Sequence, residues 1–385
     1  MDLIALFLKV KDHRLLGRYI HNQHIETILE TLSADFNVSF IGQSVNSKSI
    51  YSVKIGTGSK KIFMWSQMHG NESTTTKALF DLFNYLNIDS IEAQNIKKEF
   101  TLLCIPILNP DGAIAYTREN ANGIDLNRDA INLSQPESQL LKKVFDDFKP
   151  HFCFNLHDQR TIYAAGNTKN PATVSFLAPA YNESRDINSV REKAMAVIVA
   201  MNQELQKYIP NQIGRFDDTF NANCVGDTFQ LLNVPTILFE AGHFPNDYQR
   251  EETRKYIFIA LITAIKTCNE NEIALTKISD YLNIPQNTPH FYDFIYNKIK
   301  IIDNSLIKTI TFAALYDEIL INNDIIFEAN FVEIDTSKNA FGHIEYDGNE
   351  GLYSDKTSNF PNIGKKADFY LNNNIEFVNG LIKMQ

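Results

Sequence analysis

The sequence has few cysteines, and no two of them form a CxxC pair. Cys104, Cys153, Cys224 and Cys268 lie far apart in a chain of 385 residues. A framework of disulfide bonds is therefore not expected, which fits a reducing compartment. Cys104 and Cys153 lie in apolar runs, where a free thiol behaves as a small hydrophobic side chain.

Positive charge is also scarce: 36 Lys and Arg face 46 Asp and Glu, giving a net charge of −10. Nucleic acids and anionic membranes bind basic surfaces, so neither is expected as a partner. The N-terminus, MDLIALFLKVKDHRLLGRYI, has no basic region before its apolar patch, which is too short to span a membrane. We predict a cytoplasmic protein without a signal peptide or a transmembrane segment.

Apolar material is abundant, at 44% of the residues, so a soluble globular protein with a sizeable core is expected. The length exceeds one ordinary domain. Strand-like runs alternate with helical periodicity from about residue 50 to 268. The predicted strands are 62–67, 100–107, 151–156 and 234–240, and helices are predicted after Ser73 and at 137–148, 187–208 and 249–267. This alternation predicts an α/β fold with a mostly parallel sheet covered on both faces.

The sequence pattern changes after about residue 270, where short runs of alternating apolar and polar residues are separated by Asn-Gly and Asp-Gly turn signals. We predict three parts: an N-terminal helical lead-in (1–49), a main domain (50–270), and a small β-rich C-terminal domain of unknown role (285–385).

Two possible metal ligands, His69 and Glu72, follow the predicted strand 62–67 in the stretch HGNE. Catalytic zinc usually takes three His or carboxylate ligands and keeps a fourth position for water. A third ligand is expected at another strand end, and FNLHDQR supplies His157 there. Two histidines and one carboxylate could also hold Fe(II).

Further polar residues follow the other predicted strands. Glu240 ends the apolar run VPTILFE, so it is either buried at a cost or functional. The segment NPDGAIAYTRENANGIDLNRD carries Arg118, Asn127 and Arg128. Guanidinium groups bind carboxylates and stabilise oxyanions. Carboxylate binding would hold the free C-terminus of a peptide. Oxyanion stabilisation would assist attack on its scissile carbonyl.

The ordered set HGNE, NPDG…R…GIDLNRD, NLHD and FEAG closely resembles the zinc carboxypeptidase family, typified by the pancreatic carboxypeptidases A and B. The resemblance covers about residues 50–268. It implies a three-layer α/β/α domain on a mixed, mainly parallel sheet of about eight strands. It also implies one zinc ion per chain and hydrolysis of the C-terminal peptide bond by a metal-activated water, so that 50–270 would be the catalytic domain.

The same resemblance implies a role for each matching residue. The implied zinc ligands are His69, Glu72 and His157. Glu240 matches the general base, and Arg118 resembles the arginine that polarises the scissile carbonyl. Asn127 and Arg128 resemble the pair that holds the terminal carboxylate of the substrate.

Two features depart from the pancreatic pattern. The spacing from Arg118 to Asn127 is compressed, and the stretch 214–222 lacks the substrate-capping tyrosine that family members often place there. Tyr163 and Tyr248 are candidate substitutes. Asp158 could orient His157 or a neighbouring loop. An acidic group could favour a basic substrate side chain; its members are Asp217, Asp218 and Asp227.

Other functions stay open at this point. Succinylglutamate desuccinylases and aspartoacylases share an HGNE-like start and a DLNR-like segment, and they release a small acyl group from an N-acyl amino acid. Amidases acting on cell-wall peptides lie between these enzymes and the carboxypeptidases. A non-catalytic binding module would be expected to lack a ligand or the general base, whereas the sequence has all four residues. The expected substrate is a peptide or N-acyl amino acid with a free carboxylate. The sequence does not indicate the oligomeric state.

Overall fold

The computed structural model describes residues 2–269, 277–336 and 339–383. Within this part of the chain there are two compact units. The first comprises Met1–Arg160 and Ala172–Asn287, and the second comprises Thr161–Pro171 and Thr288–Gln385. The chain thus leaves the first unit briefly after residue 160 and returns at residue 172. The predicted domain limit at residue 270 lies outside the described residues.

The first unit is built on a single eight-stranded sheet. Its strands are β1 (Asn37–Gln43), β2 (Ser49–Ile55), β3 (Lys60–Ser66), β4 (Phe100–Ile105), β5 (Phe152–Asp158), β7 (Val174–Leu177), β8 (Ile213–Arg215) and β9 (Thr236–Ala241). Their order across the sheet is β1-β2-β4-β3-β5-β9-β7-β8. The central strands β4, β3, β5 and β9 run parallel, so their carboxyl ends meet at one edge.

The first unit also contains helices, which precede, connect or follow these strands. They are α1 (Leu3–Val10), α2 (Asn22–Leu29), α3 (Thr74–Asn87), α4 (Ile91–Glu99), α5 (Pro110–Ala115), α6 (Pro136–Phe148), α7 (Ser189–Leu205), α8 (Val225–Leu231), α9 (Glu251–Thr267) and α10 (Ile278–Leu282). No described helix combines the length and the apolarity that a membrane span requires.

Strand β3 shows how the sheet becomes the middle layer. Ile62 and Met64 pack into one hydrophobic cluster together with residues of α3, α7 and α9. Phe63 and Trp65 point to the other face and pack into a second cluster with residues of α6 and α8. Successive side chains of a strand point to opposite faces, so an uninterrupted apolar strand requires cover on both sides. The predicted three-layer α/β/α fold with a mixed eight-stranded sheet is confirmed.

The elements that carry the polar motifs coincide closely with the predicted ones. The predicted strands 62–67, 151–156 and 234–240 correspond to β3, β5 and β9. Helix α3 begins at Thr74 with Ser73 as its N-cap residue. The segment 1–49 contains β1 in addition to the helices α1 and α2. Because β1 pairs with β2, this segment belongs to the sheet and is more than a helical lead-in.

The second unit consists of strands. They are β6 (Tyr163–Ala165), β10 (Asn287–Pro289), β11 (Phe291–Asp303), β12 (Leu306–Ile321), β13 (Asp324–Ile334), β14 (Phe341–Asp347), β15 (Tyr353–Ser354), β16 (Phe369–Leu371), β17 (Ile375–Val378) and β18 (Leu381–Ile382). They form the sheets β13-β12-β11-β14 and β15-β16-β17-β18 and the small pair β10-β6. Aromatic side chains fill the core, among them Tyr296, Phe312 and Phe369. The predicted β-rich C-terminal region is confirmed.

Candidate active site

The polar motifs converge because three neighbouring parallel strands end at the same edge. His69 follows β3, His157 lies near the end of β5, and Glu240 lies near the end of β9. In the β5–β9 pairing, His157 lies directly opposite Glu240. Ligands of open α/β sheets bind outside the carboxyl ends of the strands, so the position itself indicates a binding site.

The loop after β3 is held in place by a close approach of two backbones. A Cβ atom on Gly70 would lie 1.9 Å from the carbonyl carbon of Gly112, so only glycine fits at this position. The N–H of Asn71 donates to the carbonyl oxygen of Thr117 at 3.2 Å. The HGNE loop therefore packs directly against the NPDG segment, which brings the two motifs together.

His69, Glu72 and His157 form a compact cluster of possible metal ligands. Each offers a ligand atom within 4.8 Å of the other two. The Nδ1 atom of His69 lies 2.8 Å from Oε1 of Glu72 and 3.1 Å from Nδ1 of His157, which in turn lies 2.7 Å from Oε2 of Glu72. Two imidazole nitrogens and a carboxylate facing one point match the usual donor set of catalytic zinc, so the residues fit this ion.

Charge interactions inside the cluster shift its pKa values. Burial alone would raise the pKa of Glu72, but the charges of His69 and His157 lower it far below its usual value. Burial lowers the pKa of His157. Burial would lower the pKa of His69, but the charge of Glu72 and the hydrogen bond to Asp125 outweigh this effect and raise it. The lowered pKa favours the ionised form of Glu72, which is the form that binds a cation.

Asp125 holds the far side of His69. Its Oδ1 atom lies 3.0 Å from Nε2 of His69 and accepts the backbone N–H of Asn127 at 2.8 Å. A neutral imidazole that donates from Nε2 has its lone pair on Nδ1, the atom that faces Glu72 and His157. The sequence pattern gives Asp125 no role of its own, although Asp125 lies in the DLNR motif.

The backbone after His157 supports Glu72. The N–H of Asp158 donates to Oε2 of Glu72 at 3.1 Å. The carboxylate of Asp158 accepts from both the backbone N–H and the hydroxyl of Thr74, the first residue of α3. Of the two suggested roles for Asp158, these contacts favour holding the neighbouring segment over orienting the His157 ring.

Arg118 reaches the ligand cluster. Its Nε and Nη2 atoms donate to Oδ2 of Asp125 at 3.1 and 2.9 Å, and Nη1 lies 3.2 Å from Nδ1 of His69. Its side chain is still 41% exposed. Arg118 is therefore held beside the candidate metal site while part of it faces solvent.

Asn127 and Arg128 lie in a short 3₁₀ turn, Leu126–Arg128. The side-chain oxygen of Asn127 accepts the N–H of Val225 at 3.1 Å, which ties the turn to the start of α8. Nη1 of Arg128 donates to the carbonyl oxygen of Asn127, and the residue is exposed. Arg128 is therefore accessible to an anionic group from solvent.

Glu240 is partly buried, and its Oε2 atom has no hydrogen-bond partner among the described residues. Burial raises its pKa well above the usual value, and the charges of Glu72 and Asp158 add to this effect. The charges of Arg118 and Arg250 oppose it. A buried polar atom without a partner is costly, which is typical of a group that serves a function.

Other suggested residues have contacts of their own. Asp218 accepts from Arg191 at 2.6 Å, and Asp217 accepts the backbone N–H of Thr219. Asp227 lies in the first turn of α8, where burial raises its pKa to about 7. The two candidate capping tyrosines are Tyr248, whose ring packs on His243 in the first unit, and Tyr163, in β6 of the second unit.

Comparison with known proteins agrees with this geometry. The family model described as zinc carboxypeptidase matches residues 21–217, about half of the chain. The chain belongs to the zinc carboxypeptidase family. It is 30% identical to carboxypeptidase 2 of Trichophyton tonsurans over 133 residues, which are 34% of this chain and 24% of that protein. It is 29% identical to carboxypeptidase SOL1 of Arabidopsis thaliana over 178 residues, 37% of this chain and 36% of that protein.

Solved structures share the fold. Carboxypeptidase A from Helicoverpa armigera superposes with a TM-score of 0.54 at 16% identity, covering 71% of this chain and 79% of that chain. A metallo-carboxypeptidase from Burkholderia cenocepacia gives a TM-score of 0.52 at 16% identity, covering 64% and 68%. The match to the curated relatives spans much less than their full length, about a fifth to a third.

Proposed function

We propose that this protein is a zinc-dependent carboxypeptidase that removes the C-terminal residue of peptides. One observation carries the proposal: three metal-ligand atoms meet beside Glu240, a carboxylate with a buried oxygen that lacks a partner among the described residues. His69, Glu72 and His157 would hold one zinc ion per chain. The site lies in the first unit, which we propose as the catalytic domain; the second unit is assigned no role.

The residues around the site divide the chemistry between them. When bound, zinc supplies a water with a pKa of about 7 and a positive charge beside the scissile carbonyl. A cation held by the neighbouring ligands would lower the pKa of Glu240 again, and Glu240 in its ionised form takes a proton from the attacking water and delivers it to the leaving nitrogen. The water oxygen bonds to the carbonyl carbon and the C–N bond breaks, which gives a shortened peptide with a new carboxylate and a free amino acid.

The arginines and Asn127 position the substrate and its charge. Arg118 donates to the oxyanion that develops on the scissile carbonyl, and loss of one such donor typically costs about 100- to 1000-fold in rate. Asn127 and Arg128 bind the terminal carboxylate and so orient the last peptide bond. This requires a substrate with a free carboxylate.

We also propose a cytoplasmic location. The four cysteines are free thiols, and Cys104, Cys153 and Cys268 are buried. Free cysteines are typical of proteins that stay in a reducing compartment.

The experiment that tests the proposed function combines metal analysis with an assay. The purified protein is analysed for bound metal and then incubated with free-acid peptides, C-terminally amidated peptides and N-acyl amino acids, with and without a chelator. About one zinc per chain and chelator-sensitive release of C-terminal residues are expected. Turnover of N-acyl amino acids alone would place the protein among the deacylases. The variant His157→Ala is the control, because it should lose both zinc and activity.

A further inference from the structure

Beyond the ligand cluster, the ends of β5 and β9 are joined by contacts that the proposed mechanism does not use. The pairing continues past His157 and Glu240 through Asp158 and Ala241. One residue further, the N–H of Gln159 donates to the carbonyl oxygen of Ala241 at 2.9 Å. The two strands that deliver the third metal ligand and the general base are therefore still in register where they leave the sheet.

A buried guanidinium group closes this edge. Arg250 is 1% exposed. Its Nη1 atom donates to the carbonyl oxygens of Ala241, at 2.5 Å, and of Gly242, and its Nη2 atom donates to the carbonyl oxygen of Gln159 at 2.8 Å. The fork of one side chain thus binds backbone carbonyl oxygens at the ends of both strands.

Arg250 is itself rigidly placed. It precedes α9, and its N–H donates to the carbonyl oxygen of Asp247 at 3.1 Å. The carboxylate of Asp247 accepts the N–H groups of the first three residues of the helix, at 2.8 to 2.9 Å. The hydroxyl of Thr253 donates to the carbonyl oxygen of Gly242 at 3.0 Å. The start of α9 is therefore attached to the end of β9 at several points.

The strand end at Gly242 has no room to relax. A Cβ atom there would lie 2.0 Å from the carbonyl oxygen of Ala172 and 2.3 Å from Nε2 of Gln159. Glycine is thus required by the close packing of neighbouring backbone. Because the backbone at Gly242 is closely packed and its carbonyl oxygen is bound by Arg250, the position of Glu240 two residues earlier is narrowly defined.

Arginine suits this task better than lysine. A guanidinium group presents its donors in a fixed planar fork, whereas an ammonium group is a single point with freely rotating donors. One fork can reach the carbonyl oxygens of two chain segments and fix the distance between them. Burying a cation costs free energy. If packing were the only role of this position, an apolar side chain would fill it without that cost.

We propose that Arg250 is a positioning residue that holds Glu240 beside His157 by binding the backbone carbonyls at the ends of β5 and β9. This inference rests on the proposed carboxypeptidase function for its kinetic consequence. It does not rest on that function for its structural consequence, which is the close pairing of two strand ends.

The test compares Arg250→Lys with Arg254→Lys. Arg254 lies in the first turn of α9, four residues after Arg250, and is equally buried, but it donates to Asp81 and to carbonyl oxygens of the N-terminal segment. Arg250→Lys should lower kcat by about 10- to 100-fold, with KM changed less than about threefold and zinc content unchanged, since small displacements of reacting groups cost on this scale. Arg254→Lys should keep kcat near the wild-type value.

A second measurement, hydrogen exchange, does not depend on catalytic activity. Hydrogen exchange of the metal-free protein should be faster in Arg250→Lys than in wild type at the ends of β5 and β9, above all at the N–H of Gln159. Thr253→Val, which removes one donor to Gly242 and keeps the side-chain shape, should show a smaller effect of the same kind and serves if Arg250→Lys does not fold.

The outcomes separate the two proposals. Wild-type kcat together with unchanged exchange in both Arg250→Lys and Thr253→Val would overturn the positioning role, as would an equal loss of kcat in Arg254→Lys. Wild-type protein that binds zinc but cleaves no peptide would overturn the proposed function alone. The exchange comparison would then still decide whether Arg250 holds the strand ends.

Discussion

Nε2 of His69 lies 3.0 Å from Oδ1 of Asp125, on the opposite side of the ring from Glu72 and His157. Metal-bound histidines commonly donate their second ring N–H to a carboxylate, which fixes the tautomer and the orientation of the ring. The same carboxylate binds Arg118, at 2.9 Å from Nη2. Asp125 thus connects the candidate metal site with the arginine proposed to bind the oxyanion.

Asp125→Asn is expected to weaken zinc binding by about 10- to 100-fold, because an amide can present an N–H to Nε2 and disfavour the required tautomer. A competition titration with a chromogenic zinc chelator measures the change. Asp129→Asn is the control: Asp129 is a buried aspartate of the same DLNRD segment, but its carboxylate accepts from Ser134 and Gln135. Equal zinc affinity in Asp125→Asn and wild type would contradict the role given to Asp125.

Glu240→Gln is expected to keep zinc and lose kcat by about 100- to 10,000-fold, the usual range for general base catalysis. An amide of nearly the same shape cannot take a proton from water, whereas the ligand cluster contains no atom of Glu240. Zinc content and steady-state kinetics are measured on the same preparation. Turnover retained within a few-fold would remove Glu240 from the mechanism.

Arg128→Ala is expected to lower kcat/KM for free-acid peptides by about 100-fold, since the terminal carboxylate loses its partner and the substrate its orientation. Amidated peptides, which carry no such charge, should lose far less. The control is Arg185→Ala, a half-exposed arginine that pairs with Asp218. Similar losses on free-acid and amidated peptides would exclude a carboxylate-binding role for Arg128.

Glu251 predicts an acid-dependent loss of stability. Burial opposes its ionisation, but the charge of Lys77 and the hydrogen bonds from Lys11 and Lys77 lower the pKa of Glu251 to about 2 from an ordinary value of 4.5. A pKa lowered by folding stabilises the protein above the unfolded value, and that contribution disappears as the pH falls through the folded value. Glu251 should therefore contribute on the order of 3 kcal/mol above pH 5, lost between about pH 4.5 and 2.

Glu251→Gln measures this contribution. The variant also leaves the fully buried Lys77 without the carboxylate that lies 2.6 Å from its Nζ atom, which should add to the destabilisation. Urea unfolding at pH 7 and at pH 3 should show a difference from wild type that shrinks at the lower pH. Glu252→Gln, at the next position but half-exposed, should unfold like wild type at both pH values. A difference that does not depend on pH would assign the effect to packing.

The sequence indicates that the possible metal ligands and Glu240 lie at one edge of the sheet, because most of them stand at the ends of apolar strands. His69, His157 and Glu240 each follow or end a run of buried residues, and parallel strands bring such ends to one edge. Continuous apolar strands such as β3 likewise predict that both faces of the sheet are covered.

The remaining contacts depend on how distant segments fold. Asp125 meets His69 across 56 residues, and a hydrogen bond of this kind leaves no spacing signal in the sequence. Arg250 binds backbone carbonyls, which every residue has, so no motif marks its partners. The excursion 161–171 joins the second unit through pairing of β6 with β10, more than 120 residues later in the chain.

Because successive side chains of β3 point to opposite faces of the sheet, an insertion in this strand has a larger effect than an insertion in an exposed loop. One residue inserted into β3 would exchange Ile62 and Met64 with Phe63 and Trp65 and move the HGNE loop by about 3.3 Å. Both hydrophobic clusters and the metal ligands would change at once. Gly123 lies in an exposed stretch, where an added Cβ atom would have no neighbour within 4 Å, so an insertion beside it would disturb only the local turn around Asn120. Length variation among relatives should therefore accumulate at the tip of that loop and be rare in β3.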